Sequence, residues 1–234
     1  MNKSDKIVKQ VKDGYNKIAD HFSSTRYAPW TEFNLFSEYI RDNQKILDLG
    51  CGNGRLYKYL KEQDLNIEYY GIDISNELLK IVEERYPEVK SNLTEGSITK
   101  LPYEDNTFDL VVCIAVFLHL PSKAMRLQAL SEVQRVLKPG GHLLMKNWHM
   151  WHKPYLKHYF NKVWLKRSWK DYIMPWKSSD GKIQCQRYYH VFTRRELKKL
   201  FKKSNLKVIK NFLFHEPNRK VYGRGVNIVS IAKK

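Results

Sequence analysis

Residues Ile46 to Arg55 read ILDLGCGNGR, and this segment is more informative about the fold than any other part of the sequence. An apolar run that contains one acid, Asp48, leads into a loop with glycines at positions 50, 52 and 54. Glycine has no Cβ, so such a loop can turn sharply through positive φ and lets a ligand approach the backbone closely. The pattern predicts a buried strand that ends in a nucleotide-binding loop.

Charge indicates which nucleotide this loop binds. A dinucleotide site needs the spacing G-x-G-x-x-G and presents amide dipoles to a pyrophosphate, whereas the third glycine here, Gly54, comes one residue early. The carboxylate of Asp48 would oppose a pyrophosphate and would suit a cationic ligand. S-adenosylmethionine is such a ligand, because it carries an ammonium and a sulfonium and no phosphate.

A second acid supports this prediction. Asp73 lies in the segment EYYGIDIS, 19 residues after Gly54, at the end of the next predicted strand. From that position a carboxylate can accept hydrogen bonds from both ribose hydroxyls of a bound nucleoside. The glycine loop and the two acids together therefore predict an adenosyl ligand with a positive charge.

Residues 45–145 resemble the core of the class I S-adenosylmethionine-dependent methyltransferases. The motifs that carry the resemblance are, in order, DLGCGNG, GIDIS, LPYEDNTFDLVVCIAVFLHL and LKPGG. The resemblance implies that Asp48 and the loop hold the methionine part of the cofactor, that Asp73 holds the ribose, and that residues 96–98 lie near the adenine. The cofactor-binding residues that we expect are Asp48, Gly50, Cys51, Gly52, Asn53, Gly54, Asp73, Ile74, Gly96, Ser97, Ile98, Ile114 and Ala115.

Hydrophobic periodicity predicts an α/β fold with a doubly wound, mostly parallel, seven-stranded Rossmann-like sheet. Strands are predicted at about 45–49, 67–72, 91–95, 108–114, 141–148, 206–214 and 226–232. Helices are predicted at about 4–20, 31–40, 54–62, 76–86 and 123–137. Thr193 and Glu196 form a predicted capping box that opens a last helix, RRELKKLFKK. We expect the first helix to lie across the mouth of the cofactor site.

The length of 234 residues fits a single domain. We expect it to consist of N-terminal helices (1–44), a cofactor-binding core (45–148), a substrate-side insertion (149–192) and a C-terminal helix with strands (193–234). No signal peptide is recognisable, and the longest apolar run, Leu110 to Leu118, is too short to span a membrane. Three cysteines without C-x-x-C spacing argue against disulfides and a zinc site. A cytoplasmic location with no bound metal is the expectation.

Positive charge is concentrated in the last two-fifths of the chain. Residues 1–141 contain 19 Lys/Arg and 20 Asp/Glu, whereas residues 142–234 contain 23 and 4, so all of the excess positive charge lies in the second part. This distribution predicts one positive face that binds a polyanion. The alternative is a lysine-rich surface that is merely solvated, and the balance of the first 141 residues argues against it.

The predicted insertion combines aromatic rings with cations. It and its flanks contain Trp148, Trp151, Trp164, Trp169 and Trp176, interleaved with Lys153, Lys157, Lys162, Lys166, Arg167, Lys170, Lys177 and Arg187. Aromatic faces stack on splayed bases and cations neutralise phosphates, so the segment is a candidate RNA-binding flap. The alternative is that these rings pack the insertion onto the sheet.

Four further segments resemble the eukaryotic tRNA methyltransferases that esterify 5-carboxymethyluridine at the wobble position. They are YNKIADHFSSTRYAPW, IAVFLHL, MPW and RYYHVFTRREL, and they lie outside the cofactor loop. The resemblance implies that tRNA is the substrate and that a small zinc-binding activator subunit is a partner.

A carboxylate nucleophile has a pKa near 4 and is ionised at neutral pH, so its methylation needs no general base. The site should instead offer cations and hydrogen-bond donors. The catalytic candidates are Arg26, His119 and Arg187, and the substrate-binding candidates are Tyr27, Trp30, Trp148, Tyr189 and His190.

Two other functions stay open at this point. A small-molecule methyltransferase could share the generic cofactor core, and an RNA-binding module could have lost the cofactor. The intact Asp48, glycine loop and Asp73 argue against the second alternative.

Overall fold

A computed structural model describes residues 1–149, 170–215 and 226–234. The described residues form a seven-stranded sheet and a separate two-stranded ribbon. The strands are β1 (Lys45–Leu49), β2 (Glu68–Asp73), β3 (Leu93–Glu95), β4 (Phe108–Ile114), β5 (Leu137–Trp148), β6 (Asp171–Lys177), β7 (Ile183–His190), β8 (Lys207–His215) and β9 (Val226–Lys233). The α-helices are α1 (Lys3–Thr25), α2 (Arg55–Lys61), α3 (Asn76–Arg85), α4 (Lys123–Val136) and α5 (Arg194–Lys203).

The large sheet is the predicted doubly wound one. Its strand order is β3-β2-β1-β4-β5-β9-β8. The pairs from β3 to β5 are parallel, whereas β9 pairs antiparallel with both β5 and β8. The chain order reverses between β1 and β4, and in such sheets ligands bind outside the carboxyl ends of the strands at that point.

Side chains alternate between two cores along the central strands, one on each face of the sheet. Ile46 of β1 packs with Leu56 of α2 and with the α3 side of the molecule. Leu47, its neighbour, packs with Leu130 of α4 and Leu197 of α5. This period of two is what a strand buried on both faces requires, and it explains the continuous apolar runs in the sequence.

Most predicted elements are confirmed within a few residues, and one helix is wrong. In place of the predicted helix 31–40, the chain forms two short 3₁₀ helices, Thr31–Leu35 and Ser37–Tyr39. Glu32 is fully buried there and pairs with Lys146 of β5 at 2.5 Å. Since a regular amphipathic helix would expose this glutamate, the segment turns tightly around the ion pair instead.

The two-stranded ribbon was not predicted. β6 and β7 form an antiparallel hairpin within the expected insertion, closed by a turn in which Gly181 has φ 82°. Helix α1 packs against β7, with Ile7 and Val11 next to Tyr188.

Residues 150–169, which include Trp151, Trp164 and Trp169 and five of the predicted cations, lie outside the described residues. The division of the chain into four parts therefore stays a prediction. Within the described ranges no helix combines the length and the apolar character needed to cross a membrane.

Candidate functional site

A cavity of about 620 Å³ lies at the carboxyl ends of β1, β2 and β4. Helix α1 and the β6–β7 ribbon form its other walls. Of the residues predicted from the sequence, those that line the cavity are Arg26, Trp30, Asp48, Gly50, Cys51, Gly52, Asn53, Asp73, Ile74, Gly96, Ser97, Ile98, Ile114, Ala115, His119, Trp148, Arg187 and Tyr189. The structure thus brings together residues from most of the motifs, whereas LKPGG (137–141) contributes none to the cavity.

The glycine loop has the geometry that its sequence predicts. Gly50 and Gly52 have φ of 70° and 54°, in the region that side chains rarely adopt. A Cβ on Gly50 would approach Val116 Cγ2 to 2.3 Å, whereas a Cβ on Gly52 would meet no atom within 4 Å. Gly50 therefore allows close packing of the loop, and Gly52 leaves open space at the cavity wall.

Gly54 has a different role from the one expected. It is the N-cap residue of α2, with φ 81°, and it does not line the cavity. A Cβ there would contact Val82 and Tyr86 at 3.3 Å. Gly54 thus allows the helix to start and to pack against α3, and its contact with the cofactor stays a prediction that the cavity does not support.

Two buried acids lie in the part of the cavity wall at the carboxyl ends of β1 and β2, which we call the acidic end. Asp48 accepts a hydrogen bond from Tyr69 Oη at 3.0 Å, and burial raises its pKa to about 7. Asp73 accepts hydrogen bonds from the amides of Gly52 and Ser75, both at 2.8 Å, and burial raises its pKa too. Within the described part of the chain neither acid pairs with a lysine or an arginine. Two uncompensated acids beside an open glycine loop fit a cationic adenosyl ligand.

The carboxyl end of α1 is tied to the glycine loop. Asn53 Nδ2 donates to the carbonyl oxygen of Arg26 at 2.8 Å and to Ser23 Oγ at 3.3 Å. Arg85 of α3 donates to the same Ser23 oxygen at 3.0 Å. An ion pair between Lys12 and Glu95 holds the middle of the helix to β3. These contacts keep α1 over the cavity, as the sequence predicted for the first helix.

A buried arginine lies in the part of the cavity wall that the β6–β7 ribbon forms, which we call the basic end. Arg187 is 7% exposed and lies between aromatic rings, with its guanidinium carbon 4.8 Å from the Trp176 ring centre and 5.3 Å from that of Tyr189. Its Nε is buried and makes no hydrogen bond, and no carboxylate of the described residues pairs with it. Arginine stays protonated in proteins. A buried cation without a counter-ion in the cavity wall is suited to bind an anionic ligand group.

Arg187 is oriented by a chain of hydrogen bonds. Its Nη1 donates to Tyr15 Oη at 3.2 Å, and Tyr15 Oη lies 3.0 Å from His119 Nε2. His119 Nδ1 lies 2.7 Å from the carbonyl oxygen of Tyr188, which can only accept, so Nδ1 carries the proton and Nε2 accepts from Tyr15. Burial, helped by the nearby charge of Arg187, lowers the pKa of His119 to about 3. His119 is therefore neutral and positions Tyr15.

Aromatic rings form the walls near Arg187. Trp148 and Tyr189 stack with centroids 4.5 Å apart and planes 2° from parallel, and His119 lies 4.6 Å from Tyr189. Trp176 donates from Nε1 to His21 Nδ1 at 2.8 Å, which fixes its ring beside Arg187. A planar nucleobase is the kind of ligand that such walls accommodate.

Trp30 is held at the wall by two cations. Arg55 Cζ lies 4.0 Å from the centre of its ring and Lys146 Nζ lies 3.7 Å from it. Lys146 is itself buried and paired with Glu32, to which Asn227 also donates at 3.2 Å. Cation–π contacts of this kind fix the ring in place.

Arg26 lies at the cavity mouth. It is exposed, donates to the carbonyl oxygen of Thr25 at 2.9 Å and stands 5.4 Å from the Trp176 ring centre. Tyr27, next to it, is 62% exposed and does not line the cavity. The structure therefore gives no support to the predicted substrate contact of Tyr27.

His190 also lies outside the cavity. Its ring nitrogens face Asp171 Oδ1 at 2.6 Å and Glu196 Oε1 at 2.9 Å, and Asp171 accepts from Tyr188 as well. These contacts hold the ribbon to α5, so the structure gives His190 a structural role in place of the predicted substrate contact. Arg187 and Tyr189 face the cavity from the other side of the same strand.

Several cavity residues were not named as site residues from the sequence. They are Val8, Val11, Tyr15, Phe22, Thr25, Phe33, Arg55, Leu56, Leu78, Val116, Leu120, Met174 and Trp176. The signal for Tyr15, Phe22, Met174 and Trp176 was present, because they belong to the segments YNKIADHF and MPW that carry the narrower resemblance.

Comparison with known proteins agrees with the geometry. A family model described as a methyltransferase domain matches residues 47–145. A tRNA (carboxymethyluridine(34)-5-O)-methyltransferase from Schizosaccharomyces pombe is 32% identical over 204 residues, which are 80% of this chain and 83% of that protein. A protein of the same name from Arabidopsis thaliana is 40% identical over 142 residues, 60% of this chain and 33% of that protein. The chain thus spans most of the first relative and about a third of the second.

Solved structures show the same fold. A SAM-dependent methyltransferase from Methanosarcina mazei has a TM-score of 0.71 at 23% identity and covers 88% of this chain and 98% of its own. A putative methyltransferase from Haloferax volcanii, solved as a complex with the Trm112 methyltransferase activator, has a TM-score of 0.70 at 16% identity and covers 95% and 96%. At these identities the likeness concerns the fold alone. From the sequence relatives, the chain belongs to the class I S-adenosylmethionine-dependent methyltransferases, in the family of the tRNA (carboxymethyluridine(34)-5-O)-methyltransferases, and its cofactor is S-adenosylmethionine.

Proposed function

We propose that this enzyme methylates the carboxylate of 5-carboxymethyluridine at the wobble position of tRNA. The observation that carries the proposal is Arg187, a buried cation in the cavity wall with a hydrogen-bonding nitrogen left unsatisfied and no acid of the described residues beside it. A carboxylate acceptor supplies the missing counter-charge. The names of the Schizosaccharomyces pombe and Arabidopsis thaliana relatives support the same substrate.

The chemistry requires little acid–base catalysis. S-adenosylmethionine, when bound, supplies an electrophilic methyl group on its sulfonium. An oxygen of the substrate carboxylate forms a bond to the methyl carbon while the carbon–sulfur bond breaks, so no proton is transferred. The protein has to align the two groups and to keep water out. A neutral His119, with its pKa lowered to about 3, is consistent with a reaction that needs no general base.

We assign roles to the cavity residues on this basis. Asp48 and the glycine loop hold the methionine part of the cofactor, Asp73 holds the ribose, and Gly96, Ser97 and Ile98 lie by the adenine. Arg187 binds the substrate carboxylate, with Tyr15 and His119 as positioning residues. Arg26, at the mouth, contacts the nucleotide that enters, and Trp30, Trp148 and Tyr189 contact its planar groups.

Nucleoside mass spectrometry tests the proposal. The protein, purified alone and together with a co-expressed zinc-binding activator subunit, is incubated with S-adenosylmethionine and with tRNA that carries 5-carboxymethyluridine at position 34. The same tRNA with unmodified uridine is the control. We expect the methyl ester to form only in the first tRNA and to be absent when that tRNA is digested completely to nucleosides before incubation. Methyl transfer that survives complete digestion to nucleosides, or that uses the unmodified tRNA equally well, would instead favour a different acceptor such as a small molecule.

The same proposal includes a partner and a location. We infer that activity in the cell depends on a small zinc-binding activator subunit and that the enzyme works in the cytoplasm, where it meets tRNA. The structure of the Haloferax volcanii methyltransferase with its Trm112 activator supports the first point by analogy of fold. To test this dependence, the enzyme is expressed with and without such a subunit, and methyl ester formation is measured by the same nucleoside analysis.

A further inference from the structure

The outer surface of α5 is unusually basic. Its exposed residues include six cations: Arg194, Arg195, Lys198, Lys199, Lys202 and Lys203. We call these six residues the α5 face. Among the residues that the structure describes, none of them pairs with an acid.

Exposed lysines on the other helices lie near acids more often. Lys9 of α1 pairs with Asp13 at 2.8 Å, Lys80 of α3 pairs with Glu77 at 2.9 Å, and Lys61 of α2 pairs with Glu88 at 2.6 Å. Lys3, Lys6 and Lys17 of α1 have no acidic partner among the described residues, but the same helix also exposes Asp13 and Asp20. The exposed residues of α5 include cations and no acid, and this distinguishes its surface from that of α1.

The acid that α5 carries does not neutralise its face. Glu196 is turned inward, where Lys170 lies 2.7 Å and Arg126 lies 3.4 Å from its carboxylate and where His190 also contacts it. Its backbone amide donates to Thr193 Oγ1 at 3.1 Å, as expected for the start of a helix. The outer surface therefore consists of cations alone.

Helix stability does not explain this arrangement. Arg194 and Lys198, and Arg195 and Lys199, are like-charged pairs four residues apart, and such pairs destabilise a helix. The two arginines also lie in the first turn, where the helix dipole is positive and favours acids. Only Lys202 and Lys203, in the last turn, suit the helix dipole. The other four cations oppose their own helix, which is more consistent with binding to a polyanion than with folding.

The face is held rigidly and lies away from the reaction site. Leu197, Leu200 and Phe201 anchor α5 in the core on the α4 side of the sheet. No residue of α5 lines the cavity. A ligand on this face would therefore be a part of the substrate other than the nucleotide that is methylated.

We propose that the α5 face binds backbone phosphates in the body of the tRNA while the wobble nucleotide occupies the cavity. This inference rests on the proposed function, and it adds a second binding surface that determines affinity for whole tRNA. Lysine and arginine contacts to phosphates act without sequence preference and weaken as salt is raised.

The test replaces the four lysines of the α5 face. The variant carries Lys198→Gln, Lys199→Gln, Lys202→Gln and Lys203→Gln, since glutamine keeps helix propensity. Its matched control removes the same charge from other exposed positions with Lys9→Gln, Lys61→Gln, Lys80→Gln and Lys90→Gln. Binding of tRNA is measured by fluorescence anisotropy over a range of salt, and methyl transfer is measured with whole tRNA and with a trinucleotide that carries 5-carboxymethyluridine.

We expect the dissociation constant of the α5 variant for tRNA to be higher than that of the unaltered protein by about tenfold or more. The slope of its logarithmic affinity against logarithmic salt should become shallower by about 0.9 for each phosphate that the substituted lysines no longer neutralise. KM for whole tRNA should rise, while kcat and the KM for the trinucleotide stay as in the unaltered protein. The control variant should bind tRNA as the unaltered protein does.

Equal tRNA affinity and equal salt slope in the α5 variant and the unaltered protein would overturn the assignment of this face. That result is read from binding, so it does not depend on turnover. Failure of the unaltered protein, assayed together with its activator subunit, to methylate either substrate would instead contradict the proposed function. Unchanged melting temperature and cofactor affinity of both variants confirm that the fold is intact.

Discussion

The two ends of the cavity carry opposite uncompensated charge. At one end Asp48 and Asp73 are buried without a basic partner among the described residues, and burial raises the pKa of both. At the other end Arg187 is buried without an acid from the described part of the chain. Each end is costly in the ligand-free protein, because a buried charge without a partner is poorly solvated. The site is therefore complementary to a cation and an anion that bind together.

This comparison separates the functions of the two ends. A change at the acidic end should affect the cofactor, and a change at the basic end should affect the acceptor. A variant at one end that impaired the function assigned to the other end would contradict this separation.

The largest effect is expected for Arg187→Ala. Removing the partner of a buried carboxylate costs about 4 kcal/mol, so kcat/KM for carboxymethylated tRNA should fall by about 1,000-fold. Calorimetry should show cofactor affinity unchanged. The neighbouring exposed Gln186 provides the control, since Gln186→Ala alters the same strand outside the cavity. A drop in cofactor affinity as large as the drop in kcat/KM would contradict the separation.

Asp73→Ala should have the next largest effect. The carboxylate organises the amides of Gly52 and Ser75 and, in the proposal, accepts from the ribose hydroxyls. Cofactor affinity should fall by about 100-fold, from the loss of charged hydrogen bonds. Arg26→Ala is the matched comparison and should spare cofactor affinity while it impairs methyl transfer. If both variants lose cofactor affinity equally, the role given to Arg26 is wrong.

The pH dependence of cofactor affinity sharpens the role of Asp48. Its pKa is about 7 in the ligand-free protein, and a bound cation favours the ionised form. Below pH 7 binding must release a proton, so affinity should fall by about tenfold for each pH unit. Above pH 8 the amino group of the cofactor itself loses its proton, which has a pKa of about 7.7–8.0. Calorimetry from pH 5.5 to 9 checks this profile.

Asp48→Asn provides the control for the pH profile. A carboxyl group whose folded-state pKa is raised stabilises the protein below its unfolded-state pKa of about 3.9, and that stability is lost as pH rises through about 7. The ligand-free variant should therefore melt at a higher temperature than the unaltered protein at pH 8. Because it lacks the carboxyl group, the variant should also bind the cofactor weakly, and its affinity should not fall as the pH is lowered below 7. If the affinity of the variant still falls below pH 7, a group other than Asp48 causes the pH dependence.

The smallest effect is expected for Tyr15→Phe. The change removes the hydroxyl that links Arg187 to His119 and leaves the ring in place. One hydrogen bond contributes about 1 kcal/mol, so kcat should fall by about fivefold. Cofactor affinity and melting temperature should change little. A loss as large as that of Arg187→Ala would indicate that Tyr15 contacts the acceptor itself.

The acidic end was predictable from the sequence because its parts are local. Asp48 and the glycines follow one strand directly, and Asp73 ends the next, so the order of motifs in the chain specifies their place in space. The sheet followed for the same reason, since each of its central strands is a short apolar run followed by a helix.

The basic end was only partly predictable. Tyr15 and Arg187 are 172 residues apart in the sequence, and their contact depends on how α1 packs against β7. The sequence placed both Tyr189 and His190 in the substrate pocket, which a strand does not allow, because adjacent residues face opposite sides. Because the β6–β7 hairpin was not predicted, this alternation of side chains could not be used to separate Tyr189 from His190. The segments YNKIADHF and MPW indicated that α1 and β6 contribute to the site, but they did not indicate how these elements pack.

The most direct test of the opposite-charge cavity compares the binding of two ligands of the same size. One anticodon trinucleotide carries 5-carboxymethyluridine, and the other carries its neutral amide, 5-carbamoylmethyluridine, which is not methylated. We predict that the carboxylate binds about 1,000-fold more tightly than the amide and that the ratio shrinks in Arg187→Ala. Equal affinity of the unaltered enzyme for the two trinucleotides would contradict the account.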